Sequence, residues 1–206
     1  MTTRLLLRAA ILLATTAALA RSADLTPEAR SSAARMAVGT CASCHGAQGT
    51  SIIPKFPNLA AQPANYLATQ LKAFRSRSRG DPDALAFMWG MAASLDDSQI
   101  DALAQYYSGK RASAGPNGDA ALRARGKAIY DHGVASQKVP PCGACHGPKG
   151  EGTEEFPRLA GQHAQYFMNQ MRSFQSNSRR ADPMRLVASA LSTSELEALA
   201  AYIQSM

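Results

Sequence analysis

With 206 residues, a formal net charge of +7 and only 6% aromatic residues, the chain exceeds one small domain and suits two units of about 90 residues, each with a thin core. Its Lys and Arg residues form no block interleaved with aromatic platforms, which excludes a nucleic-acid-binding role. What remains is a modestly basic surface, suited to steering an acidic protein partner.

The first element is a targeting segment. Arg4 and Arg8 precede an apolar stretch from Ala9 to Leu19, and Ala18-Leu19-Ala20 places small residues where a signal peptidase cuts. Residues 1–20 are therefore expected to be a cleaved signal peptide. A membrane helix needs about 20 predominantly apolar residues, and Thr15, Thr16 and Arg21 interrupt or close this run too early. An uncleaved anchor is the lesser reading. No later segment is long and apolar enough to cross a bilayer, so the mature chain is expected in the periplasm, with at most peripheral membrane association.

A helix is predicted over Pro27–Val38, and it leads into Cys41-Ala42-Ser43-Cys44-His45. A second pentapeptide, Cys142-Gly143-Ala144-Cys145-His146, follows at an offset of 101 residues, and the two use every cysteine in the chain. Thiols three positions apart can each form a thioether with one vinyl group of a haem, and the adjacent imidazole can then ligate the iron. Two covalently bound haem c groups are the implied cofactors, held by Cys41, Cys44, Cys142 and Cys145. Export to an oxidising compartment fits such attachment, since free cysteine pairs would otherwise become disulfides there. Zinc would need the two pairs, or a pair and two histidines, brought to one point. A redox dithiol would need a strand-to-helix context that is absent.

Helices are predicted next over Pro63–Ser76 and Ser98–Tyr107, the latter capped by Asp96 or Asp97. The turn formers of Ser108–Gly118 follow and read as a linker. The second half repeats the order, with helices over Asp119–Tyr130, His163–Ser176 and Ser194–Ile203 and caps at Ser192 or Thr193. This divides the chain into a first domain over 21–111, a linker over 112–118 and a second domain over 119–206. The expected fold class is all-α, with three or four short helices per half wrapped around one haem. So little aromatic core also predicts poor folding without the haem.

The repeat can be followed residue by residue. Phe56-Pro57-Asn58-Leu59-Ala60 matches Phe156-Pro157-Arg158-Leu159-Ala160 at an offset of 100, followed by Gln62/Gln162, Tyr66/Tyr166, Gln70/Gln170, Phe74/Phe174 and Arg79/Arg179. Beyond Arg79 the offset falls to 96, which places four extra residues within Gly80–Phe87. This register helps to choose the iron ligands. His45 and His146 follow their cysteines directly and are the proximal candidates. Most methionines are core filler, and only Met88 and Met184 form a repeat-matched pair. Met91 meets Val187, while Met168 and Met171 meet Ala68 and Leu71 on a predicted helix and read as packing. His132 and His163 have no first-half counterparts, which argues against bis-histidine sites. Arg75, Arg77, Arg79, Arg172, Arg179 and Arg180 cluster after the middle helices. Arg79 and Arg179 are the matched candidates for haem propionates, although solvated loop charge is the ordinary reading of such residues.

These motifs, Cys-Ala-Ser-Cys-His-Gly and Cys-Gly-Ala-Cys-His-Gly, Phe-Pro-x-Leu-Ala, Gln-x-x-x-Tyr and Leu-Ala-x-Tyr, resemble the dihaem cytochrome c4 family, two class I cytochrome c domains in tandem. The likeness spans the whole mature chain. It implies axial Met88 and Met184, and it nominates the carbonyls of Pro57 and Pro157 as acceptors for the second nitrogens of His45 and His146. Asp182-Pro183-Met184-Arg185-Leu186 departs from the methionine-rich, glycine-containing run of the family. The resemblance further implies a carrier of single electrons, with a quinol-oxidising complex as donor and a terminal cytochrome c oxidase as acceptor, and no enzymatic activity, because both axial positions are filled. The alternative is the electron-accepting subunit of a periplasmic dehydrogenase, such as a sulfide-oxidising flavocytochrome. A dihaem peroxidase would need one open iron position.

Overall fold

The computed structural model describes residues 25–206, so the expected signal peptide lies outside the described residues. Helices dominate, and the described residues hold no strand, only a bridge between Val134 and Val139. In the first half α1 (Pro27–Met36) runs through a π-helical turn (Ala37–Cys41) into the short α2 (Ala42–His45). Then come α3 (Ala64–Arg75), a second π-helical turn (Ala84–Met88), α4 (Trp89–Ala92) and α5 (Asp97–Ser108). The second half contains α6 (Ala120–His132), α7 (Gly143–His146), α8 (Ala164–Gln175), α9 (Asp182–Ala190) and α10 (Thr193–Ser205).

The closing helices begin where the sequence places their caps. Asp96 accepts from Gln99 N–H and Ser192 from Glu195 N–H, and in both the third residue of the helix returns its side chain to the cap backbone. Two orphan donors are satisfied at each start. In each half the opening helix packs on the closing one, α1 on α5 and α6 on α10. Gly126 permits the second crossing, because a Cβ there would stand 2.0 Å from the Ala198 carbonyl oxygen. Ala33, Ala102 and Leu103 fill the first.

The halves meet through polar residues that the repeat matches. Gln62, 6% exposed, accepts from the Arg158 N–H at 2.6 Å and donates to the Arg158 carbonyl at 3.1 Å. Gln162 does the same to Asn58, at 2.9 and 3.0 Å. Each amide thus closes on both polar groups of one residue in the other half. Behind this clasp, Arg79 donates to Gln70 (2.7 Å), Gln170 (2.8 Å) and Tyr166 (3.2 Å), and Arg179 donates to Gln170 (2.6 Å), Gln70 (3.3 Å) and Tyr66 (2.6 Å). Each guanidinium lies 4.7 Å from a ring centroid of its own half, Phe74 or Phe174. With exposures of 7% and 9%, Arg79 and Arg179 are buried interface residues, which corrects the reading of them as solvated loop charge. His163, at the start of α8, donates from Nε2 to the Ser51 carbonyl at 3.0 Å. The segment joining the halves is pinned as well, by Gly115 N–H on the Gln204 carbonyl at 2.9 Å.

Two outcomes follow from this packing. Gly126→Ala forces α6 away from α10 and destabilises the second half by about 1–3 kcal/mol, measurable as a lower denaturant midpoint. Gln62→Ala and Gln162→Ala each strip two bonds from a backbone unit at about 1–3 kcal/mol. The wild type is expected to unfold in one transition and the double variant in two, which calorimetry resolves.

Candidate haem sites

Each Cys-x-x-Cys-His motif forms one helical turn, α2 or α7, and this places both sulfurs and the imidazole on one side. Positions i, i+3 and i+4 share a helix face. The chain must then leave sharply, and a glycine allows it: Gly46 at φ 73° and Gly147 at φ 83° occupy the left-handed region that side chains avoid. A Cβ on Gly46 would also stand 2.1 Å from the Thr50 carbonyl oxygen.

The histidines of the two turns are held alike. His45 is 7% exposed and His146 is 6% exposed. Their Nδ1 atoms donate to the carbonyls of Pro57 and Pro157, both at 2.9 Å, and the rings meet Phe56 and Phe156 edge-on at centroid distances of 6.1 and 6.0 Å. Burial lowers the pKa of both imidazoles and outweighs the opposing effect of the proline carbonyls. Each ring is therefore neutral at pH 7, protonated on Nδ1, with its Nε2 lone pair free.

The first thiol of each motif is tuned away from redox chemistry. Burial pushes Cys41 up, and it pushes Cys142 up to about 11, whereas a reactive dithiol needs a lowered pKa. Among the described residues no three His, Cys, Asp or Glu side chains gather as a metal cluster. Beside each first cysteine stands a buried tyrosine, supplied from a different helix in the two halves. Tyr130 of α6, near Cys142, donates to the Gly147 carbonyl at 2.6 Å. Tyr107 of α5 lies by Cys41, with its hydroxyl buried.

Met88 ends the π-helical turn before α4, and Met184 lies in the first turn of α9; both are half-buried. Met91, in contrast, is 56% exposed, and Met171 is buried in the core of the second half. His132 is exposed at the end of α6. After Asp81 the first half runs as helix through the π-helical turn Ala84–Met88, a form that accommodates an inserted residue and is frequent at functional sites.

His45, Met88, His146 and Met184 all line one continuous cleft, together with Cys41, Leu67, Phe74, Phe167 and Phe174. It is open in part to solvent. Arg79 and Arg179 line it too, at the contact between the halves. Neutral imidazoles with a free lone pair, thioethers lining the same apolar space and the Cys41 thiol on its wall are a donor set that fits covalent haem. Sequence reasoning missed the joining of the two sites by Gln62, Tyr66, Gln70 and their partners. The repeat carried a signal, since polar residues kept at helical spacing in both halves are what two duplicated units that face each other would share.

The family model for cytochrome c matches residues 31–108 and 123–206. Cytochrome c4 of Stutzerimonas stutzeri is 37% identical over 180 residues, which cover 82% of this chain and 85% of that protein. The thiosulfate dehydrogenase electron acceptor of Stutzerimonas stutzeri strain A1501 is 36% identical over 176 residues, 82% of this chain and 80% of that protein. The solved structure of Acidithiobacillus ferrooxidans cytochrome c4 aligns with a TM-score of 0.76 at 36% identity, covering 81% of this chain and 98% of that one. The chain therefore belongs to the dihaem cytochrome c4 family of electron carriers, and it binds two haem c groups covalently.

Proposed function

We propose that the protein carries single electrons in the periplasm through two irons, each ligated by a histidine and a methionine: His45 with Met88, and His146 with Met184. The observation that carries this reading is the matched setting of the two halves. A buried imidazole with its Nδ1 spent on a proline carbonyl and a repeat-matched thioether line the same apolar cleft in both. When bound, the iron supplies reversible one-electron exchange. The protein side chains set the conditions. Pro57 and Pro157 hold the imidazoles in the tautomer that presents Nε2. The methionine sulfurs would complete the ligand set of each iron, and a thioether would favour a higher potential than a second imidazole. Cys41, Cys44, Cys142 and Cys145 fix the groups by thioether bonds. Arg79 and Arg179, buried with a single carboxylate between them, Asp81, offer excess positive charge to the propionates.

Two partner classes are consistent with such a carrier. The first reading is transfer between a quinol-oxidising complex and a terminal cytochrome c oxidase, the chain leaving the cytoplasm by its N-terminal segment, residues 1–20. Similarity to an electron acceptor of thiosulfate dehydrogenase favours a second, in which a periplasmic dehydrogenase is the donor. Rapid reduction of the purified protein by one of these donors, and not by the other, decides between them.

A redox titration that follows the near-infrared sulfur-to-ferric-iron band tests the ligands. Two high-potential irons, both showing the band, are expected. Met88→Ala and Met184→Ala each remove half of the band and lower one potential, whereas Met91→Ala leaves both unchanged. A wild-type band worth one iron would overturn the second site.

A further inference from the structure

Five of the nine large apolar side chains that stay open to water among the described residues belong to two touching segments of the first half. Ile52 (94% exposed) and Ile53 lie in the loop after α2, and Leu85 (58%), Phe87 and Met91 (56%) lie on the second π-helical turn and α4. Phe87 and Met91, four positions apart, share a helix face. Lys55 ties the segments together, with its Nζ 4.7 Å from the Phe87 ring centroid and 3.1 Å from the Asp83 carboxylate. It is the more exposed partner of that pair, at 40% against 24%, so the cation meets water more than the anion does. The second half keeps the phenylalanine but reverses the rim. Exposed Thr153, Glu154 and Glu155 precede Phe156 there, where Ile53, Pro54 and Lys55 precede Phe56.

Contiguous apolar surface of this kind marks a contact with another molecule. Two rings connect it to the first site: Phe56 stands 5.3 Å from Phe87 and 6.1 Å from His45, centroid to centroid, edge-on in both cases. An occupant of this face lies close to the His45 imidazole, which suits a protein that exchanges electrons. Five side chains make a small face, of the size class of short-lived redox encounters and not of a stable dimer. Lys55 at its edge favours an acidic rim on the occupant, and Glu154 and Glu155 repel the same rim from the second half. We propose that Ile52, Ile53, Leu85, Phe87 and Met91 form the docking face for a redox protein whose own contact surface is apolar at its centre and acidic at its rim. The apolar contact sets how long the pair stays together, and Lys55 sets how fast it meets.

The inference rests on the carrier reading proposed above, and its test separates the two. The probes are a purified thiosulfate dehydrogenase supplied with thiosulfate, as donor, and a purified terminal cytochrome c oxidase, as acceptor. In stopped-flow mixing the Ile52→Ser/Leu85→Ser holoprotein is expected to exchange electrons with at least one of them about tenfold more slowly than the wild type. Both reduction potentials, the sulfur-to-iron bands and the rate of reduction by dithionite stay unchanged in that variant. Lys55→Gln slows the same reaction at low ionic strength, and the difference disappears in high salt. Leu186→Ser, which alters an exposed apolar residue of the second half, exchanges electrons at the wild-type rate. Wild-type rates with both enzymes in Ile52→Ser/Leu85→Ser would overturn the docking face, as would an equal loss in Leu186→Ser. Loss of binding to anionic phospholipid vesicles, or of self-association in sedimentation, with electron exchange intact would also overturn it, in favour of a membrane or a second copy. Failure of the wild type to exchange electrons with either enzyme would instead strike the carrier reading, and the docking face with it.

Discussion

Two guanidinium groups buried within one interface impose the strictest constraint on this molecule. A buried cation is tolerated only when its donors are satisfied and its charge is compensated. Arg79 and Arg179 meet the first condition by reaching across the contact to Tyr166 and Tyr66, and to the glutamines of both halves. Neither half can supply these acceptors alone. Separation of the halves would expose the charges to water but strand Gln62 and Gln162 and open the apolar cleft. The two cytochrome units are thus held as one body.

Duplication explains the symmetry of this arrangement, and packing explains its exceptions. Both halves need a large side chain beside the first cysteine, but a helix crossing admits only one bulky contributor. The second half uses Tyr130 from α6 and places Ile203 on α10. The first half has the small Ala33 and Ala37 on that side and brings Tyr107 from α5, at the repeat position of Ile203. Similar space is filled from opposite helices. The π-helical turns belong to the same divergence. They occur only in the first half among the described residues, one at the cysteines and one at Met88.

Much of this was legible in the sequence. The six longer helices could be placed because their apolar spacing and polar starts are local properties; Asp96 and Ser192 act as caps in the structure. The haem motifs are local as well, since one helical turn presents all three functional groups. The helical segment carrying Met184 was not anticipated, because Asp182-Pro183 looks like a turn; Pro183 instead sits in the first turn of α9, where its missing N–H costs nothing. The burial of Arg79 and Arg179 was illegible for a different reason. An arginine after a helix is normally solvated, and only the facing half, about a hundred residues away in the chain, removes the water from it.

The same helix faces serve the cores and the contact, and this links the two sites mechanically. On α3, Leu67 and Phe74 point into the first half while Tyr66 and Gln70 accept from Arg179 across the interface; on α8, Phe167 and Phe174 alternate with Tyr166 and Gln170 in the same way. A shift of either helix would move a cleft wall and break bonds to the other half together. Packed cores resist such displacement, so each site is braced by the other. One-electron exchange is well served by this construction, because a site that moves little on changing charge has little environment to rearrange.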